Sequence, residues 1–154
     1  MDVAGFLVDH RASILAAADA EVVGRRLPHY DAAGTAEITK RLELLFDVVV
    51  AAAGQNNLDA ALAHADQIAA DRHQTGHDLS ELQRAINALE EQLWRAVMDD
   101  VPVEAQGHAL GVVSTVLGAI KDRLACAYVS RTANRAIHTL RIDELFRGNA
   151  AGQL

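Results

Sequence analysis

The stretch Ala63–Val97, AHADQIAADRHQTGHDLSELQRAINALEEQLWRAV, decides the fold. Its first part continues an apolar stripe that begins upstream: Leu58, Ala61, Leu62, Ala65, Ile68 and Ala69 recur every three or four residues, the helical period. After Gly76 the stripe restarts as Leu79, Leu82, Ile86, Leu89, Leu93 and Val97, again in steps of three and four. Gly76 suits the residue just past a helix end, where a left-handed backbone is common. Asp78 followed by Glu81 fits a capping box for the next helix. The stretch therefore predicts two core helices meeting at a corner.

Upstream, the chain predicts a first helix over Val3–Val23, with Phe6, Leu7, Ile14, Leu15, Ala18 and Val22 on its apolar face. Pro28 cannot continue it. Arg25 and Arg26 suit the negative end of a helix dipole; a phosphate site is the alternative reading. A second helix starts after Gly34-Thr35, with Thr35 as its cap and Ile38, Leu42, Leu45, Phe46, Val49 and Ala53 buried. Val48 and Val50 widen that stripe, which predicts a central helix ending at Gly54. Asn56 or Asn57 then caps the helix of Leu58–Ala69.

Downstream, Pro102 suits the first turn of a helix that can run to Phe146, about 65 Å at ~1.5 Å per residue. Leu110, Leu117 and Leu124 repeat at sevens, with Val113, Ile120 and Ala127 at the companion positions, as along a coiled-coil seam. The repeat then fails at Arg131, Asn134, His138 and Arg141, while Val129, Ala133, Ala136, Ile137 and Leu140 continue on a shifted face. That shift predicts either a break near Ser130 or a change of packing partner.

Composition bounds the rest. The 154 residues fit a single domain, expected over 1–147 with a frayed tail at 148–154, and the 51% apolar content supports a packed core over disorder. Few strand-type clusters occur, so the fold class is all-α. A formal net charge of −7 disfavours nucleic-acid binding, which needs a basic surface. The N-terminus MDVAGFLVDHRAS has no basic region or apolar core of the signal-peptide kind, and no apolar run reaches the ~20 residues of a membrane span. The lone Cys126 cannot form an internal disulfide and is expected to be a small buried hydrophobe; a cytoplasmic location follows.

Candidate chemistry is sparse. His73 and His77 are four apart, the spacing of two ligands on one helix face, but Gly76 falls between them at the predicted helix end, so no metal site is expected. Haem would need an axial histidine, and His64, His73 and His108 lie on predicted helices; Phe6, Phe46 and Trp94 are the aromatics available to line such a pocket. Ser13, Ser80, Ser114 and Ser130 have no nucleophile-elbow surroundings, and no glycine-rich phosphate loop is present. The chain is read as a non-enzyme without a cofactor. Trp94, one position beyond Leu93, is either a core-edge aromatic or a dimer anchor, since tryptophan is enriched in interface hot spots.

Around the corner the pattern is His64, then Arg72, Gly76, Leu79, Glu81 and Leu82, then Leu89 and Leu93-Trp94. Over about Leu58–Val97 this resembles the N-terminal sensor domain of the RsbR/RsbRD type, the RsbT co-antagonist family of bacterial stress-signalling proteins. Departures are His77, where members often carry an apolar residue, Ala85 and Ile86, where they often have an acidic and an aromatic residue, and Glu90, where a basic one is usual. The resemblance implies a globin-like helical bundle of about five or six helices, often without haem, that dimerises and signals through its last helix. Such domains usually precede a STAS, kinase or DNA-binding module.

The expected function is thus a bacterial regulatory domain acting through dimerisation and partner binding, with a kinase or STAS-type protein as partner. A haem- or small-ligand-binding helical sensor is the alternative. The expected dimer interface is Trp94, Leu110, Val113, Leu117, Ile120 and Leu124; Arg72, Gly76, Asp78 and Glu81 form the helix-junction motif.

Overall fold

The computed structural model describes residues 1–24, 35–74 and 79–148, with the side chains of residues 35, 37, 72–74, 81 and 131–148 left aside. All regular structure among them is helical: α1 Val3–Asp9, α2 Arg11–Gly24, α3 Thr35–Gln55, α4 Asp59–Gln74, α5 Leu79–Asp100 and α6 Val103–Gly148. The all-α fold predicted from periodicity is present, with the long last helix.

The predicted first helix is two. Asp2 caps α1 by accepting the Gly5 amide at 3.0 Å. His10 then takes φ −99°, ψ 6°, a bridge conformation that breaks the helical run. Its ring Nδ1 donates to the Phe6 carbonyl at 2.9 Å, and the two rings stack with centroids 4.2 Å apart. The His10 carbonyl accepts from Ser13 Oγ at 2.9 Å and starts α2 through the Ile14 amide. Neither glycine nor proline marks this break, and the apolar phase runs through it.

α3 is central, as its wide stripe predicted: it touches each of the other five helices. Ile38, Leu42, Leu45, Phe46, Val49 and Ala52 are buried along it. Arg11 of α2 lies over the Phe46 ring, 5.3 Å from its centroid, and pairs with Asp47. Thr39 donates to Asp19 at 2.8 Å, tying α3 to α2 a second time.

Gly54 does not end α3; it lies inside the last turn, where a Cβ would stand 3.2 Å from the Ala4 Cβ. Its work is close approach of α1. The turn itself falls at Asn56, whose φ of 48° is the left-handed conformation asparagine tolerates. Asn57 then caps α4, its Oδ1 accepting the Asp59 amide at 2.8 Å.

α4 buries Ala61, Ala65 and Ala69, every fourth residue, and this smooth alanine face lets it pack most extensively against α6. α5 buries Leu82, Ile86, Leu89, Leu93 and Val97 between α2 and α6. The corner into α6 is closed by Pro102, whose carbonyl accepts the Ala105 and Gln106 amides. Gln106 Nε2 reaches back to the Met98 and Val101 carbonyls at 3.1 and 3.0 Å, satisfying the free end of α5.

α6 is unbroken through Ser130, so the shift in its stripe is not a chain break. Its 46 residues span about 69 Å at ~1.5 Å per residue, roughly twice the length of α5. Gly76, His77 and Asp78 lie outside the described residues, as do the tail at 149–154 and Arg25 to Gly34. Of Arg72, His73 and Glu81 only the helical backbone is described.

Candidate interaction surface

The heptad that suggested an inter-chain seam faces inward. Val113, Leu117, Ile120 and Leu124 are fully buried in the chain's own core, and Leu110 packs partly buried against it. α6 packs against α4, α5 and α3 of the same chain, so these positions are corrected from dimer seam to intramolecular core. The sequence alone could not separate the two, because the same spacing serves either.

One position along, the helix turns outward. Gly111, Gly118 and Ala125 repeat at the same seven-residue interval as the leucines, joined at helical spacing by Gly107, Ser114, Asp122 and Val129. Apart from the adjoining residues and the local helix backbone, no described atom approaches within 4 Å of where a Cβ would stand at Gly107, Gly111 or Gly118. Glycine inside a helix costs about 1 kcal/mol relative to alanine. At Gly118 no close approach of another element accounts for that cost, unlike Gly54.

Polar contacts fix which face points out. Lys121 Nζ lies 2.7 Å from Glu90 Oε2 and 3.3 Å from Asn87 Oδ1, pinning α6 to α5. Arg123 makes a two-pronged pair with Asp66 at 2.7 and 2.8 Å, pinning it to α4. The Asp66 carboxylate keeps the Arg123 guanidinium firmly protonated through these bonds. With Lys121 opposite residues 87 and 90 in an antiparallel pair, Trp94 falls level with residues 114–117 of α6.

Trp94 itself is 45% exposed, and Met98, one turn on, is 54% exposed. Of the two readings of Trp94, the core-edge one accounts for only part of its surface. Cys126 is exposed, not buried as expected, and lies on the outer side of α6 near Val129.

Among the described residues, the aromatics and histidines of the alternative haem reading do not come together. Phe46 is fully buried in the core, Phe6 stacks on His10, and Trp94 faces outward. His108 lines an open groove of about 470 Å³ between the end of α3 and the first turns of α6, away from all three aromatics. His64 lies half-buried on α4, and burial holds its imidazole below the ordinary histidine range. No group of three or more metal-ligating side chains occurs among the described residues. No helix among them is long and apolar enough to cross a membrane.

A filled helical core, a corner that feeds one very long helix, and an outward face of small residues beside an exposed tryptophan define an all-helical domain with one extended helix. The chain belongs to the RsbT co-antagonist protein rsbRD N-terminal domain family, whose model matches residues 12–141. Membership makes it a regulatory signalling domain of the stress-response partner-switching system, a family not known for enzymes. Searches of curated proteins and of solved structures found no match.

Proposed function

We propose that this domain is a non-enzymatic, homodimeric regulator whose two copies meet through the outer face of α6 and Trp94. The observation that carries this reading is the exposed Trp94 of α5, level with residues 114–117 of α6 and so next to Gly118 on its outer face. A large exposed indole stands on α5 about level with a stretch of α6 whose glycine has only open space beside it. A small-residue face lets a second helix approach closely, and an indole supplies apolar area at low entropic cost. A two-fold arrangement uses this patch twice, each copy contributing both parts.

The long last helix is then the output element. It is anchored to α5 and α4 by Lys121 and Arg123, so a change in dimer packing is transmitted along a rigid rod. The partner is a signalling protein of the kind the family name implies, RsbT or a related switch kinase, or a STAS-type protein.

Trp94 is the sole tryptophan, so its emission reports this surface alone. On dilution from tens of micromolar to nanomolar, the emission shifts to the red as the indole returns to water. An emission maximum that stays at the fully exposed position at every concentration rejects the interface.

A further inference from the structure

The groove beside the α3–α4 turn opens at the N-terminal end of α6, about two turns before Gly118, and the core does not account for it. Its floor is apolar, formed by Ala52 and Leu58 on one side and Val112 and Val116 on the other. At about 470 Å³ it lies within the ~300–1,000 Å³ range of small-molecule sites. The space exists because Gly107 and Gly111 on its α6 wall carry no side chain, and both have open room where a Cβ would stand.

The rim is polar but carries no carboxylate, lysine or arginine among the described residues. Asn56, His108 and Thr115 line it, and their side chains make no hydrogen bond to any described residue. Asn56 is held there by its left-handed backbone at the helix turn. An amide, an imidazole and a hydroxyl offer both donors and acceptors to a ligand head group. A charged head would find no counter-charge.

We infer that this groove binds a small, uncharged amphiphile, with its hydrocarbon part on the apolar floor and an amide- or hydroxyl-like head against Asn56, His108 and Thr115. The site adds an input to the regulatory reading and does not require the dimer, since every residue named belongs to one copy.

The test uses octanamide as probe, with octanoate and octylammonium as charged counterparts of equal chain length, against the isotopically labelled full chain. Octanamide is expected to shift the Gly107, Gly111 and Thr115 amide resonances saturably, with the charged counterparts binding at least tenfold more weakly. Gly111→Leu fills the groove from a position with open space around it. It is expected to keep the wild-type melting temperature within a few degrees and to weaken octanamide at least tenfold, with Thr115→Ile as an independent filler on the same wall. Equal binding of the charged probes overturns the inference. So does undiminished binding to both filled variants, or the absence of saturable shifts at these amides. In the Gly118→Glu background, where the proposed dimer is absent, shifts there that grow with protein concentration and no probe also overturn it, because a second copy then occupies the groove.

Discussion

Leu117 and Gly118 are neighbours in the chain with opposite surroundings: the leucine is fully buried, and no other element comes within 4 Å of where a Cβ would stand at the glycine. Substitutions at these adjacent positions therefore separate stability from assembly. Leu117→Ala removes core volume and is expected to cost about 3 kcal/mol, read as a lower midpoint in denaturant melts. Gly118→Ala is expected to leave the protomer fold intact and to add up to about 1 kcal/mol of helix propensity. Equal destabilisation by both would contradict the assigned faces.

The α5–α6 register rests on Lys121. Its ammonium is the cation beside Glu90, whose side chain is only 13% exposed. Lys121→Met is expected to cost roughly 1–3 kcal/mol, because it strands a mostly buried carboxylate. The double variant with Glu90→Gln should recover part of that loss. A double-mutant cycle in urea measures the coupling, and purely additive losses would show that the pair does not fix the register.

Burial lowers the His64 pKa, and this sets a pH dependence. The folded state resists protonation that the unfolded chain accepts near its ordinary value of ~6.5. The unfolded state therefore binds more protons as the pH drops below that value, and stability falls with it. His64→Gln should flatten the decline in melting temperature between neutral and mildly acidic pH. An unchanged slope would remove His64 as a contributor.

Gly54 tests the close approach of α1. With the Ala4 Cβ 3.2 Å from its hypothetical Cβ, Gly54→Leu has no room and must displace α1, at an expected ~1–3 kcal/mol. Hydrogen exchange should localise the damage to α1 amides. Faster exchange spread evenly over the chain would mean that the glycine has another role.

The helices were legible because their apolar positions follow one period; Leu82, Ile86, Leu89, Leu93 and Val97 point inward as that period requires. The His10 break was not legible, since it rests on a ring-to-carbonyl bond and a serine back-bond with no breaker residue. The turn after α3 was misplaced at Gly54, because a glycine needed for contact looks the same as one needed for a turn. The orientation of α6 was hidden for a different reason. Leu110–Leu117–Leu124 and Gly111–Gly118–Ala125 have equal spacing, and burial alone tells which one the protomer uses. The groove left only a faint signal, two glycines four apart flanking His108.

Sedimentation equilibrium of wild type beside Gly118→Glu is the most direct measurement of the central claim. Gly118 has open space, so the glutamate leaves the core untouched, whereas Leu117→Asp would unfold the domain and confuse the result. The account predicts a wild-type dimer at micromolar concentration and a folded, helical Gly118→Glu monomer. A monomeric wild type, or a variant that remains dimeric, would contradict it.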